Sequence, residues 1–211
     1  MDTWTTVDAN RRALADLADS LDATQWDAPS LCSAWRVRDV VAHVTAGATM
    51  TTGQAIKAVA TSGFRINKMI TDGAIKGGGA PTAELAAGMR ATIGSRVAIP
   101  GIKPEAILCD EAVHSQDIRR ALGLAGRPSP DALQIMLENL ERSRSSLLPG
   151  KKRLRGLHLQ ANDLDWSAGD AGDPEVTGTA EALAMALAGR PAVLDGLSGP
   201  GLDILRTRIV G

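Results

Sequence analysis

Three prolines, Pro81, Pro104 and Pro130, each stand at the head of a stretch that reads as helix. Proline is tolerated in the first helical turn, where its missing N–H has no partner to lose, and it breaks a helix interior. Those prolines divide the chain into several short helices that must bury their apolar faces against one another. From Val7 to Leu21, residues Val7, Leu14, Leu17, Ala18 and Leu21 recur on one helical face, and Trp26 to Ser30 breaks the pattern. A second helix opens near Val37, continues through Val40, Val41 and Val44, and thins out around Gly63. A shorter pattern from Phe64 to Ile75 ends in Gly77-Gly78-Gly79. The helix headed by Pro81 is expected to reach Val97, with Thr82 or its neighbour as cap and Glu84 in the first turn. After the break at Pro100-Gly101, the next should run from Pro104 to about Leu122, with Gly123 as its stop. Another fits Pro130 to about Ser146.

Beyond Pro149-Gly150 the character changes. Leu154, Leu157 and Leu159 form a strand-like run, and residues 162–174 are turn-rich. An Ala/Leu helix follows at Thr179–Ala188, and a last one fits Leu202–Ile209. The expected fold is mainly α, with a helical bundle over residues 1–148 and a small α+β domain over 149–211.

Composition narrows the function. The chain carries 23 basic and 24 acidic residues, so it lacks the field on which non-specific nucleic-acid binding relies. One Phe, no Tyr and four Trp leave little for stacking bases. No stretch approaches the roughly 20 apolar residues of a membrane span. The opening MDTWTTVDANRRALADL has no apolar signal core and reads as mature sequence. Cys32 and Cys109 do not make a disulfide framework. The reading is a globular, cytoplasmic protein with a small-molecule ligand and neither nucleic acid nor membrane as partner; a homodimer through its helices is among the assemblies it allows.

The chain has three histidines: His43, His114 and His158. His43 lies in the apolar second helix. Asp110 and His114 are four apart, about 40° in azimuth and 6 Å in height on a helix, so both project from one face and could hold one ion. Glu111, three before His114 and about 60° off the other way, is the alternative carboxylate. Bundles build metal sites from facing helices in this manner. His43, Asp110 and His114 would supply three ligands and leave a position open for water or substrate, as at catalytic zinc. The competing reading makes the histidines hydrogen-bonded core residues. Asp117 could take the other N–H of His114 or pair with Arg120. His158 reads as structural or surface, and Cys109 as a small core residue. Cys32 lies in the loop before the second helix, where a nucleophilic thiol would need His43 as its base. The glycine run 77–79 lacks the Lys-Ser or Lys-Thr of a phosphate loop and reads as a flexible loop, a candidate lid. Lys151-Lys152-Arg153 reads as a solvated basic patch.

The segments holding these residues also carry a resemblance. Trp26 to His43, WDAPSLCSAWRVRDVVAH, resembles the start of the second helix in the mycothiol-dependent maleylpyruvate isomerase family, within the DinB/YfiT-like group of metal-binding four-helix bundles. Asp110 to Ile118 resembles that family's second ligand motif, a carboxylate or histidine four residues before a histidine. Segments 155–157, 163–167, 176–178 and 188–191 look like the C-terminal domain of many actinobacterial members. The sequence departs from the pattern at Ala34, where the family often has Gly, and at Asp110, where Glu often stands, with Glu111 beside it. The resemblance implies metal ligands at His43, Asp110 and His114, a divalent ion such as zinc, and mycothiol as co-substrate. It further implies an isomerase or S-transferase acting on a small electrophile. A non-catalytic metal- or ligand-binding module and a metal hydrolase are the alternatives. No residue is singled out as catalytic or thiol-binding.

Overall fold

The computed structural model describes residues 2–63, 65–145 and 147–211. It has the mainly α architecture expected, a four-helix bundle in one compact unit and a small α+β fold in the other. The first compact unit, Met1–Gly126, holds α1 (Thr3–Ser20), α2 (Ala23–Asp27), α3 (Val37–Thr49), α4 (Thr52–Thr61), α5 (Ile66–Gly77), α6 (Thr82–Ala91) and α7 (Pro104–Ala121). The bundle is a ring of four: α1 packs on α6 and α7, and α3 packs on the same two helices. Leu14, Val40, Val41 and Met89 from three of these helices are fully buried. Each such side chain contributes about 1.5–3 kcal/mol by leaving water.

Local rules explain most helix ends. The Asp2 carboxylate accepts from the Trp4 N–H to start α1. In α7, Pro104 occupies the first turn, and Gly123 takes φ 64° just past the C-cap Leu122. Elsewhere the structure differs from the sequence pattern. The long second helix is two: α3 ends at Thr49, and Thr51 caps α4 by exchanging bonds with Gln54. The break expected from Trp26 comes earlier, at Leu21-Asp22, and Trp26 and Asp27 belong to a separate helix, α2. Helix α6 stops at Ala91 rather than Val97; the Arg11 guanidinium takes the carbonyls of Thr92 and Ser95, and Gly94 turns the chain at φ 84°. Phe64 and Ser146, where two expected patterns begin and end, lie outside the described residues. The neighbouring helices run Ile66–Gly77 and Pro130–Arg142.

The glycine run is not a lid. Gly77 closes α5, and buried Gly78 lies so close to Asp39 that an added Cβ would overlap its carboxylate. Absence of a side chain lets α5 seat on the first turn of α3.

The second unit, Arg127–Gly211, starts well before the expected boundary near Leu148. It contains α8 (Pro130–Arg142), α9 (Gly150–Leu154), β1 (His158–Ala161), β2 (Ser167–Ala168), β3 (Glu175–Gly178), α10 (Ala180–Leu187), a 3₁₀ turn (Pro191–Gly196) and α11 (Leu202–Val210). Helix α8 belongs here because its buried stripe of Leu133, Met136, Leu137 and Leu140 is on a helix that packs against α9 and the Ala/Leu-rich α10. The sheet order is β2-β1-β3, with β1 antiparallel to β2 and parallel to β3. Leu159, opposite Ala168 and Val176, is fully buried. The strand-like run expected from Leu154 starts as the end of α9 and becomes strand only at His158.

Candidate metal centre

His43 faces inward from α3, on a helix whose Val40, Val41 and Val44 are buried. Asp110 and His114 come from α7, packed beside it. Their donor atoms converge: all three residues offer a ligand atom within 4.8 Å of the others. His43 Nε2 lies 3.5 Å from Asp110 Oδ2, and His114 Nε2 lies 3.7 Å from Asp110 Oδ1. The two imidazole centroids are 4.9 Å apart, edge to face. Burial is graded across the trio. The side chain of His114 is 8% exposed, that of His43 19% and that of Asp110 45%, so the cluster opens to solvent on the Asp110 side.

The opposite edge of His114 is equally well defined. Its Nδ1 lies 3.0 Å from Oδ2 of fully buried Asp117. The fold gives Asp117 the role of acceptor for His114 that the sequence allows. A proton held on Nδ1 leaves the Nε2 lone pair directed at the cluster. Cys32 donates its S–H to the same Asp117 oxygen at 3.0 Å and lies 3.6 Å from His114 Nδ1. A nucleophilic Cys32 would need His43 as its base, and the fold places it beside His114. Nothing in the sequence could signal this pairing, which spans 82 residues.

The loop carrying Cys32 is tied to α7 by Leu31 N–H on the Asp117 carbonyl, and it turns tightly through Trp35 N–H on the Cys32 carbonyl. It thereby brings Trp35 over both histidines, with ring centroids 4.8 Å from His43 and 5.4 Å from His114. Among the described residues, the buried indole N–H of Trp35 has no acceptor. Trp35, which the sequence pattern does not single out, thus forms a wall of the site.

Glu111 does not compete with Asp110. It is buried against Arg11 of α1, which donates Nε at 3.0 Å and Nη2 at 2.7 Å to Oε1. Burial pushes the Glu111 carboxyl up to about 7, partly opposed by Arg11. The alternative ligand is therefore committed to a structural pair across the bundle, on the other side of α7 from Asp110.

Electrostatics at the trio favour positive charge. Burial disfavours an imidazolium at His114, yet the Asp110 charge, the bond to Asp117 and the Cys32 contact outweigh it and raise the group to about 10. Two imidazoles and one carboxylate form a donor set suited to zinc or a similar divalent ion. The other expected assignments are simpler: Cys109 is fully buried, and His158 sits in β1 with Nδ1 3.4 Å from the Gly169 carbonyl oxygen.

Comparison with known proteins adds the following. Residues 7–100 match the family model for the mycothiol maleylpyruvate isomerase N-terminal domain, which includes His43 and ends before α7. No curated protein matches the chain. A crystal structure of a histidine-to-alanine mutant of the mycothiol-dependent maleylpyruvate isomerase has the same fold, with a TM-score of 0.64 and 14% identity. The alignment covers 93% of this chain and 91% of that one, so the likeness extends through both compact units. Among the described residues, no helix is long and apolar enough to cross a membrane.

Proposed function

We propose that the chain is a metal- and thiol-dependent enzyme acting on a small electrophile, an isomerase or S-transferase, a reading supported by the match of residues 7–100 to the family model for the mycothiol maleylpyruvate isomerase N-terminal domain. The observation that carries this reading is the convergence of His43, Asp110 and His114 from two packed helices, with the cluster open toward Asp110. Zinc bound by these three residues would supply Lewis acidity that keeps a low-molecular-weight thiol, such as mycothiol, as its thiolate near neutral pH. His43 and His114 would hold the ion through their Nε2 atoms, and Asp110 would contribute the anionic ligand. Asp117 fixes the His114 tautomer, and Trp35 walls the imidazole pair from water.

The co-substrate thiolate adds to an activated carbon–carbon double bond, and the displaced electron pair moves onto the conjugated carbonyl oxygen. Rotation about the resulting single bond, followed by return of the pair and expulsion of the thiolate, isomerises the substrate. Protonation of the adduct carbon instead gives an S-conjugate. This site supplies the same thiolate to either outcome.

The test is metal content by mass spectrometry on untagged wild type, His43→Ala and His114→Ala, with folding followed by circular dichroism. Zinc at one per chain in the wild type, absent from both folded variants, is the expected result. Thiol-dependent turnover of a cis-enone diacid should then follow the metal. A folded wild type that takes up no zinc when supplied with it overturns the reading and leaves a binding module. Turnover by hydrolysis without any thiol would favour a metal hydrolase.

A further inference from the structure

His114 presents one ring edge to each of two donor sets. Nε2 faces Asp110 and His43, whereas Nδ1 faces Asp117 and Cys32. The second set has its own metal-like spacing: Cys32 Sγ to His114 Nδ1 is 3.6 Å, Cys32 Sγ to Asp117 Oδ2 is 3.0 Å, and His114 Nδ1 to Asp117 Oδ2 is 3.0 Å. Around tetrahedral zinc, bond lengths near 2.3 Å to sulfur and 2.0–2.1 Å to nitrogen or oxygen put sulfur about 3.6 Å from either neighbour and the two lighter atoms about 3.4 Å apart. One edge of the trio already has that length. The other two are about 0.5 Å short because hydrogen bonds close them, so a cation replacing those protons would need only a small opening.

We propose that Cys32, His114 and Asp117 form a second cation position, selective for thiophilic ions and alternative to the position at His43, Asp110 and His114. This inference rests on the metal-centre reading above through the shared His114. Exclusion follows from the ring chemistry. A neutral imidazole has one proton and one available lone pair, so Nε2 ligates while Nδ1–H bonds Asp117, or Nδ1 ligates while Nε2–H faces Asp110. Binding at the second position releases the Cys32 thiol proton and the His114 Nδ1 proton to solvent and leaves Nε2 protonated, and no redox change is involved. The thiolate makes this set soft, favouring cadmium or cuprous ion over zinc; the first set, with two imidazoles and a carboxylate, takes zinc and accepts harder divalent ions as well. Metal softness then selects the His114 tautomer and, with it, whether the solvent-open position carries an ion. Thiophilic metals would act as inhibitors by capture, without displacing His43 or Asp110.

Cobalt(II) and cadmium titrations of wild type, Cys32→Ser, His43→Ala and His114→Ala test the proposal, with circular dichroism confirming folding. A thiolate-to-metal charge-transfer band in the near ultraviolet is expected in wild type and His43→Ala, and its loss is expected in Cys32→Ser. Cadmium affinity should fall at least about tenfold in Cys32→Ser, while zinc uptake at the first position persists. His114→Ala should lose both. Absence of the thiolate band with both metals, or cadmium affinity unchanged in folded Cys32→Ser, overturns the second position and leaves the proposed enzyme site standing. A thiolate band accompanied by metal uptake insensitive to His43→Ala supports the second position and overturns the first.

Discussion

Arg11→Met removes a fully buried guanidinium and replaces it with an apolar side chain of comparable length. The loss comprises the forked contact with Glu111, at 2.7–3.1 Å, and the bonds to the Thr92 and Ser95 carbonyls, at 3.0 and 2.8 Å. Glu111 is 3% exposed and has no route back to water without opening the bundle. Removing one partner of such a pair costs about 3–5 kcal/mol, because the remaining charge stays buried. For a protein of this size that corresponds to a melting midpoint lowered by roughly 6–20 °C. The penalty should shrink at pH 5.5, where Glu111, already raised to about 7, becomes neutral and has less need of a cation. Arg11→Met combined with Glu111→Leu should recover most of the loss, since an apolar pair of similar volume is often neutral or stabilising. Thermal melts by circular dichroism at pH 7.5 and 5.5 for wild type and the two variants provide the measurement. The reasoning fails if Arg11→Met costs less than about 1 kcal/mol, or if the double variant is as unstable as the single one.

Three further outcomes are expected. Since the folded pKa of Glu111 lies above its ordinary 4.5, its contribution to stability is fully present below that value and is lost as pH rises toward about 7. Denaturant titrations across this window should show a decline of up to about 3 kcal/mol in wild type that is absent in Glu111→Gln. Asp117→Asn keeps the shape but weakens the acceptor for His114 Nδ1–H, so zinc affinity should drop about 10–100-fold with the helical circular dichroism unchanged; unaltered affinity would remove Asp117 from the site. Gly78→Ala forces α5 away from the first turn of α3, where Asp39 leaves no space for a Cβ, and should lower stability by about 1–3 kcal/mol in a denaturant titration.

Local chemistry made α7 legible. A first-turn proline, a stop glycine and the four-residue interval between Asp110 and His114 are all properties of one helix, and the helical repeat alone puts both side chains on one face. The same repeat identified the buried faces of α1 and α3, and the resemblance in residues 26–43 pointed to His43. Packing between distant segments decided the rest. Glu111 and Asp110 are adjacent carboxylates; only the arrival of Arg11 from α1, 100 residues away, commits the former to a structural pair. Cys32 meets His114 rather than His43 because the loop before α3 docks on the Asp117 carbonyl of α7. The glycine run suggested a mobile loop by composition, yet its value lies in a close approach between helices that composition does not encode. Likewise, α8 joined the second unit because α9 and α10 cover its apolar stripe. Periodicity determines which face of a helix seeks burial, but not which partner covers it; that choice depends on the summed packing of many surfaces and exists only in the folded chain.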